Sequence, residues 1–188
     1  MNRLRTKCGV VLAGAACIVT MAAADLFAET FTGTATVKTA GGATATAPVT
    51  VTVDRMMTQA EADKLLAAFK SGGAAGLRKA LEGVKPTGSI QLGAGKATPT
   101  RLALERQTDK GRLITVVSDT AIAHLGAGLP DAKPKEGYEF AVVDLEIGPG
   151  GGSGTLTPAA RVNVKGGAFV VDGYSTEPLR LTSVTAKK

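Results

Sequence analysis

The chain has no tryptophan, one histidine and two cysteines among its 188 residues. Each shortage removes a class of chemistry. Cys8 and Cys17 both fall in the first 24 residues, so the rest of the chain carries no thiol. A disulfide framework, a thiolate zinc site and a cysteine nucleophile are excluded there. A lone His124 cannot form the histidine pair of the usual zinc sets. No Gly-x-Ser-x-Gly elbow and no calcium-loop spacing occurs. Neither a metal nor a cofactor is therefore expected. Downstream of residue 28 the aromatics are Phe31, Phe69, Phe140, Phe169, Tyr138 and Tyr174, scattered singly. Nucleic-acid sites need stacking platforms and a basic track along the backbone. The basic residues outnumber the acids by 22 to 16, but they form no block, so no nucleic-acid partner is expected.

The N-terminus explains part of that basic excess. Arg3, Arg5 and Lys7 precede an apolar run of small and aliphatic residues over 8–24. That is the layout of a secretory signal. Ala22-Ala23-Ala24 satisfies the small-residue rule for cleavage before Asp25, whereas cleavage after Ala28 places Leu26 at the −3 position. The expected organisation is a signal over 1–24, or 1–28, and a single domain over 29–188. Periplasmic or secreted location follows. Cys17 is no lipoprotein site, because Gly14 stands where such signals carry a large aliphatic residue. If the signal stays uncleaved, the run is about long enough to span a bilayer, and only through it would the protein touch a membrane. Loss of the leader removes three cations and no acid from the formal net charge of +6. An exported chain without disulfides must be held by its core, and about 160 residues can supply one.

Most of that domain has the period of a strand. Phe31, Gly33, Ala35 and Val37 alternate with threonines, and Val49, Val51 and Val53 do the same. These stretches predict a hairpin with a threonine outer face. A weaker strand is expected at 88–92, answered across Gly93-Ala94-Gly95 by 101–106 with Leu102 and Leu104 inward. Asp109-Lys110-Gly111 turns into 112–118, which is apolar on both faces and so central. The run 138–147 is the second strongly apolar strand, with Asp144 and Glu146 on one face and Val143, Leu145 and Ile147 on the other. A final hairpin, 156–165 with 168–172, crosses Gly166-Gly167, and 179–184 closes the chain.

One stretch has the helical period. Thr58 and Glu61 have capping-box spacing. Ala62, Leu65, Leu66 and Phe69 then form one apolar stripe; Leu77, Ala80, Leu81 and Val84 form a second. Ser71-Gly72-Gly73 separates them, and Gly83 with Pro86 stops the second. Two short helices joined by a tight turn, a helical hairpin over 57–84, are expected. Neither holds alone at this length, so they need a sheet to cover. A lid or partner-binding role is the alternative to such a cover. The fold class is mainly β (α+β): an antiparallel curled sheet or barrel of about 8–9 strands with one inserted helical hairpin. The alternative is a two-sheet β-sandwich.

Candidates for chemistry are few. His124 follows Ser118 and Asp119 in an irregular stretch, where a Ser-His-Asp set would need geometry that adjacency does not supply. Asp144 and Glu146 point the same way and form the one candidate carboxylate pair, although such pairs are commonly a solvated face. The stretch 120–137 is long for a loop and is the best place for a lid over a cavity mouth. Leu125, Leu129, Tyr138 and Phe140 are the apolar candidates for ligand contact. The Gly-rich run 148–154 follows a strand but precedes no helix, so it makes no phosphate cradle.

The run 59–101, QAEADKLLAAFKSGGAAGLRKALEGVKPTGSIQLGAGKATPTR, together with Glu29-Thr-Phe-Thr-Gly33, resembles a group of exported bacterial proteins of uncharacterised activity. The resemblance covers most of the chain after the leader. It implies an envelope or periplasmic setting and no site. The leading expectation is a non-enzymatic domain that binds a small apolar ligand or an envelope protein, since barrel mouths commonly hold ligands. The alternatives are a hydrolase or isomerase using His124 or Asp144 and Glu146, and a structural envelope protein.

Overall fold

The computed structural model of the protein describes residues 28–38, 44–122, 137–165, 168–173 and 178–187. The expected leader, both cysteines, His124, Leu125 and Leu129 lie outside them.

Alternating valine and threonine does what its period implies. β1 (Glu29–Lys38) and β2 (Thr44–Val53) pair along their whole length, from Glu29 opposite Val53 to Lys38 opposite Thr44. Phe31, Ala35, Val49, Val51 and Val53 are buried, while Thr32 and Thr34 are exposed. Helix α1 (Gln59–Glu82) follows, then β3 (Gly88–Leu92) and β4 (Thr98–Thr100). After these come β5 (Leu102–Thr108), β6 (Gly111–Ser118), β7 (Phe140–Gly148), β8 (Gly151–Lys165), β9 (Ala168–Gly173) and β10 (Leu179–Lys187).

All these strands pair antiparallel, in the order β4-β3-β2-β1-β10-β8-β7-β6-β5, with β9 added to β8 off that path. The last strand is therefore internal: β10 joins the N-terminal hairpin at β1 to the later strands at β8. The two ends of the sheet, β4 and β5, are separated in the chain by Arg101 alone. The Arg101 amide donates to the Val117 carbonyl at 2.9 Å, and the Met57 amide donates to the Ala103 carbonyl at 2.8 Å. These bonds draw the ends together into a nearly closed, nine-stranded barrel-like sheet, not a two-sheet sandwich. Such closure needs strands that bend. In β10 the register slips against both neighbours around Ser183, a non-glycine residue at φ 52°.

Two details differ from the sequence expectation. The partner of β3 is the three-residue β4, not 101–106. Pro99 hides β4 from a strand pattern, yet a residue without an amide hydrogen suits a strand at the seam of a sheet. Leu102 and Leu104 also face outward instead of inward. It is Ala103 that enters the barrel core with Ile114, Val116, Val143, Leu145 and Leu156, while Leu102 packs outside with the helix.

α1 is built as its stripes imply. Thr58 caps it with a full capping box: the Glu61 amide donates to the Thr58 hydroxyl, and the Thr58 amide donates to Glu61 at 2.9 Å. That amide and the Arg55 guanidinium hold the Glu61 carboxyl below its usual range. Gly83 ends the helix. Between the stripes Gly73, at φ 60° and ψ −150°, breaks the helical path. The bend is sharp. A Cβ on Gly76 would stand 2.5 Å from the Ala68 carbonyl oxygen, whereas eight residues of straight helix rise about 12 Å. The element is two helical arms that meet at a sharp corner at Gly73, where the sequence places the break between its two stripes. Leu65, Phe69, Leu77 and Leu81 are all buried, and Leu66 is half-buried. Burying four such side chains contributes roughly 1.5–3 kcal/mol each as an upper estimate.

The corner yields a comparison. Gly73→Ala should lower stability by about 1–3 kcal/mol, because its backbone lies where essentially only glycine sits. Gly72→Ala, where an added Cβ meets nothing within 4 Å, should be neutral or up to about 1 kcal/mol stabilising. Urea unfolding of both variants measures the difference.

Candidate functional site

Each of β5 to β8 contributes apolar side chains from both of its faces. Residues pointing into the barrel form one core; those pointing out form a second with α1, including Leu102, Val117, Phe140, Val142, Ala160 and Val162. Phe140 anchors this outer cluster at 1% exposure. The helix does not seal it. A cleft of about 240 Å³ remains between the second arm of α1 and the sheet. Leu77 and Leu81 form its helical wall, and Leu102, Leu104, Val117 and Val142 form its floor. Val162 and Val171 close the end formed by β8 and β9. Val171 is 38% exposed and is the one exposed large hydrophobic side chain among the described residues. This space lies outside the barrel, whereas the expectation was a barrel mouth; the barrel interior is filled by its own core.

Two polar side chains reach the cleft, Thr115 of β6 and Asp144 of β7. They are directly opposite in the ladder, and the Thr115 hydroxyl donates to Asp144 Oδ1 at 2.5 Å. Glu146 lies two residues further along the same strand, 3.8 Å from the Lys110 ammonium. The two acids thus share a face but have different partners. Asp119 stands apart from both, 3.4 Å from Arg101 Nε at the barrel seam. Tyr138 lies beside the cleft without lining it: its ring is under the Arg161 guanidinium, 4.7 Å from ring centre, and its hydroxyl donates to Asp172 at 3.4 Å. An ion pair between Arg78 and Glu139 fastens the second helical arm to the entry of β7. Among the described residues no group of three His, Cys, Asp or Glu side chains is placed to hold a metal. The sequence reading missed Thr115, Val171 and the helical leucines as cleft walls. The available signal was the acid at 144 next to Phe140 and Val142 on the outward face of an otherwise mostly apolar strand.

A second polar cluster crosses the barrel interior. Glu29 on β1 and Arg112 on β6 form an ion pair, with three strands between them in the sheet order. Arg112 also reaches Glu105 at 3.3 Å, and its guanidinium lies 5.7 Å from the centre of the Phe31 ring. Glu29 is only 6% exposed. Its hydrogen bond, before any other cause, raises the Arg112 guanidinium above its ordinary value. This cluster ties the N-terminal hairpin to the far side of the barrel.

Comparison of the chain with protein-family models, with curated proteins and with solved structures finds no match.

Removing one partner of a buried ion pair strands the other charge. Arg112→Met should therefore cost about 1–3 kcal/mol, less than a fully buried pair because the arginine is a quarter exposed. The double variant Arg112→Met with Glu29→Gln should recover part of that loss. A double-mutant cycle by urea unfolding measures the coupling, and additive losses would mean the pair contributes nothing.

Proposed function

We propose that this is an exported, non-enzymatic binding protein that holds a small apolar molecule between α1 and the outer face of β5 to β8. The observation that carries the proposal is the cleft itself. It is concave and walled by leucine and valine, with two convergent polar groups at one side, which is the general make-up of a small-molecule site. Its walls come from five strands and the second arm of α1. A location in the periplasm or outside the cell follows from the basic, apolar N-terminus and from the resemblance to exported proteins.

The competing roles find less support. Hydrolysis or isomerisation by the acidic pair would need Asp144 and Glu146 to act on one substrate, yet each is engaged by a different neighbour. An adhesive protein would present a broad apolar surface; among the described residues Val171 is the only large hydrophobic side chain exposed.

Binding of the uncharged fluorophore phenylnaphthylamine tests the proposal. The protein should bind it with a blue-shifted rise in emission. Leu104→Trp, which fills the cleft floor at a half-buried position, should weaken binding at least about tenfold, the equivalent of roughly 1.4 kcal/mol, while circular dichroism stays unchanged. Undiminished binding by a folded Leu104→Trp variant, or none by the wild type, would overturn the assignment of the cleft.

A further inference from the structure

We infer that the cleft selects a cationic amphiphile: an aliphatic amine whose apolar body lies among the leucines and valines and whose ammonium group meets Asp144. The inference rests on the assignment of the cleft as the binding site and adds the chemistry of the head group. Among the described residues Asp144 is the only charged side chain lining the cleft. Of the two acids on this face of β7, Glu146 has Lys110 beside it. Among the described residues no cation lies within ion-pair distance of Asp144; its partner is the Thr115 hydroxyl, which engages Oδ1. Oδ2 remains for a ligand.

Hydrogen-bond polarity narrows the choice further. Thr115 has one O–H and donates it to Asp144, so its oxygen can now only accept. An ionised carboxylate also only accepts. The backbone offers no donor in exchange, because β6 and β7 are each paired on both sides and their amides belong to the ladders. The polar side of the cleft is thus acceptor-only and negative. A carboxylate or phosphate head brings no donor and a like charge. A hydroxyl head brings one donor and no charge. An ammonium head brings three donors, no acceptor and the opposite charge. The surrounding leucines and valines weaken the competition from water and so favour the charged pairing.

Displacement of bound phenylnaphthylamine by octylamine, octanol and octanoate at neutral pH tests this. Octylamine should compete at least about tenfold better than octanol, as a charge-assisted hydrogen bond implies, and octanoate should be the weakest. Asp144→Asn keeps the shape and a hydrogen-bond acceptor but removes the charge, and should bring octylamine down to the level of octanol. If Asp144→Asn does not fold, the wild-type ranking still decides. Equal displacement by all three compounds, with Leu104→Trp still weakening probe binding, would overturn the amine selectivity and leave the cleft assignment standing. A persistent amine preference in folded Asp144→Asn would also overturn it. Failure of all three to displace a probe that Leu104→Trp does not affect would overturn both.

Discussion

Four neighbouring strands in this protein carry apolar side chains on both faces, and closing a sheet into a barrel buries only one. The outer faces of β5 to β8 therefore need a cover, and α1 is that cover. A helix of this length, folded at Gly73, would be marginal in water. Packed on the sheet it gains burial of Leu65, Phe69, Leu77 and Leu81, on the order of ten kcal/mol in all. The dependence is mutual, since the helix without the sheet is unfolded and the sheet without the helix exposes a second core. The cleft is the part of this contact left incomplete.

The seam and the helix are held by the same groups. The segment entering α1 bonds to β5 through Met57 and Ala103. Arg55, just before it, binds Glu61 of the capping box and the Lys85 carbonyl beyond the helix end. Arg101, the residue between the two ends of the sheet, donates through its guanidinium to the Val84 carbonyl at 2.7 Å. Entry and exit of α1 are thus pinned where the barrel closes. The corner between them is flanked by the buried side chains Phe69 and Leu77. If the cleft widens for a ligand, the second helical arm is the wall with freedom to move, held by Leu77, Leu81 and the Arg78–Glu139 pair.

How much of this is legible in the sequence depends on the element. β1 and β2 are readable because one face is threonine and the other valine or phenylalanine, a period no helix shares. The capping box, both helical stripes and the central place of β6 are readable for equally local reasons. Three things are not. The pairing of β3 with β4 is hidden by Pro99 and by the brevity of β4. The direction of Leu102 and Leu104 is hidden because β5 has apolar residues on successive positions, and alternation alone does not say which face is the barrel. The site is hidden because its walls come from α1 and β5 to β9, which meet only through the sheet order. Asp144 was visible as an acid sharing a face with Glu146; that Lys110 serves Glu146, while among the described residues no cation serves Asp144, is a fact of tertiary structure.

The absence of native tryptophan makes the central contact directly measurable. Phe69 lies at the end of the first helical arm, 9% exposed and packed in the outer cluster, so Phe69→Trp places a single reporter where helix and sheet meet. The account predicts blue-shifted native emission that acrylamide quenches weakly, with both features lost together on unfolding. Native emission at the wavelength of a solvated indole, freely quenched in a chain whose circular dichroism is unchanged, would show that α1 does not cover β5 to β8 and would contradict it.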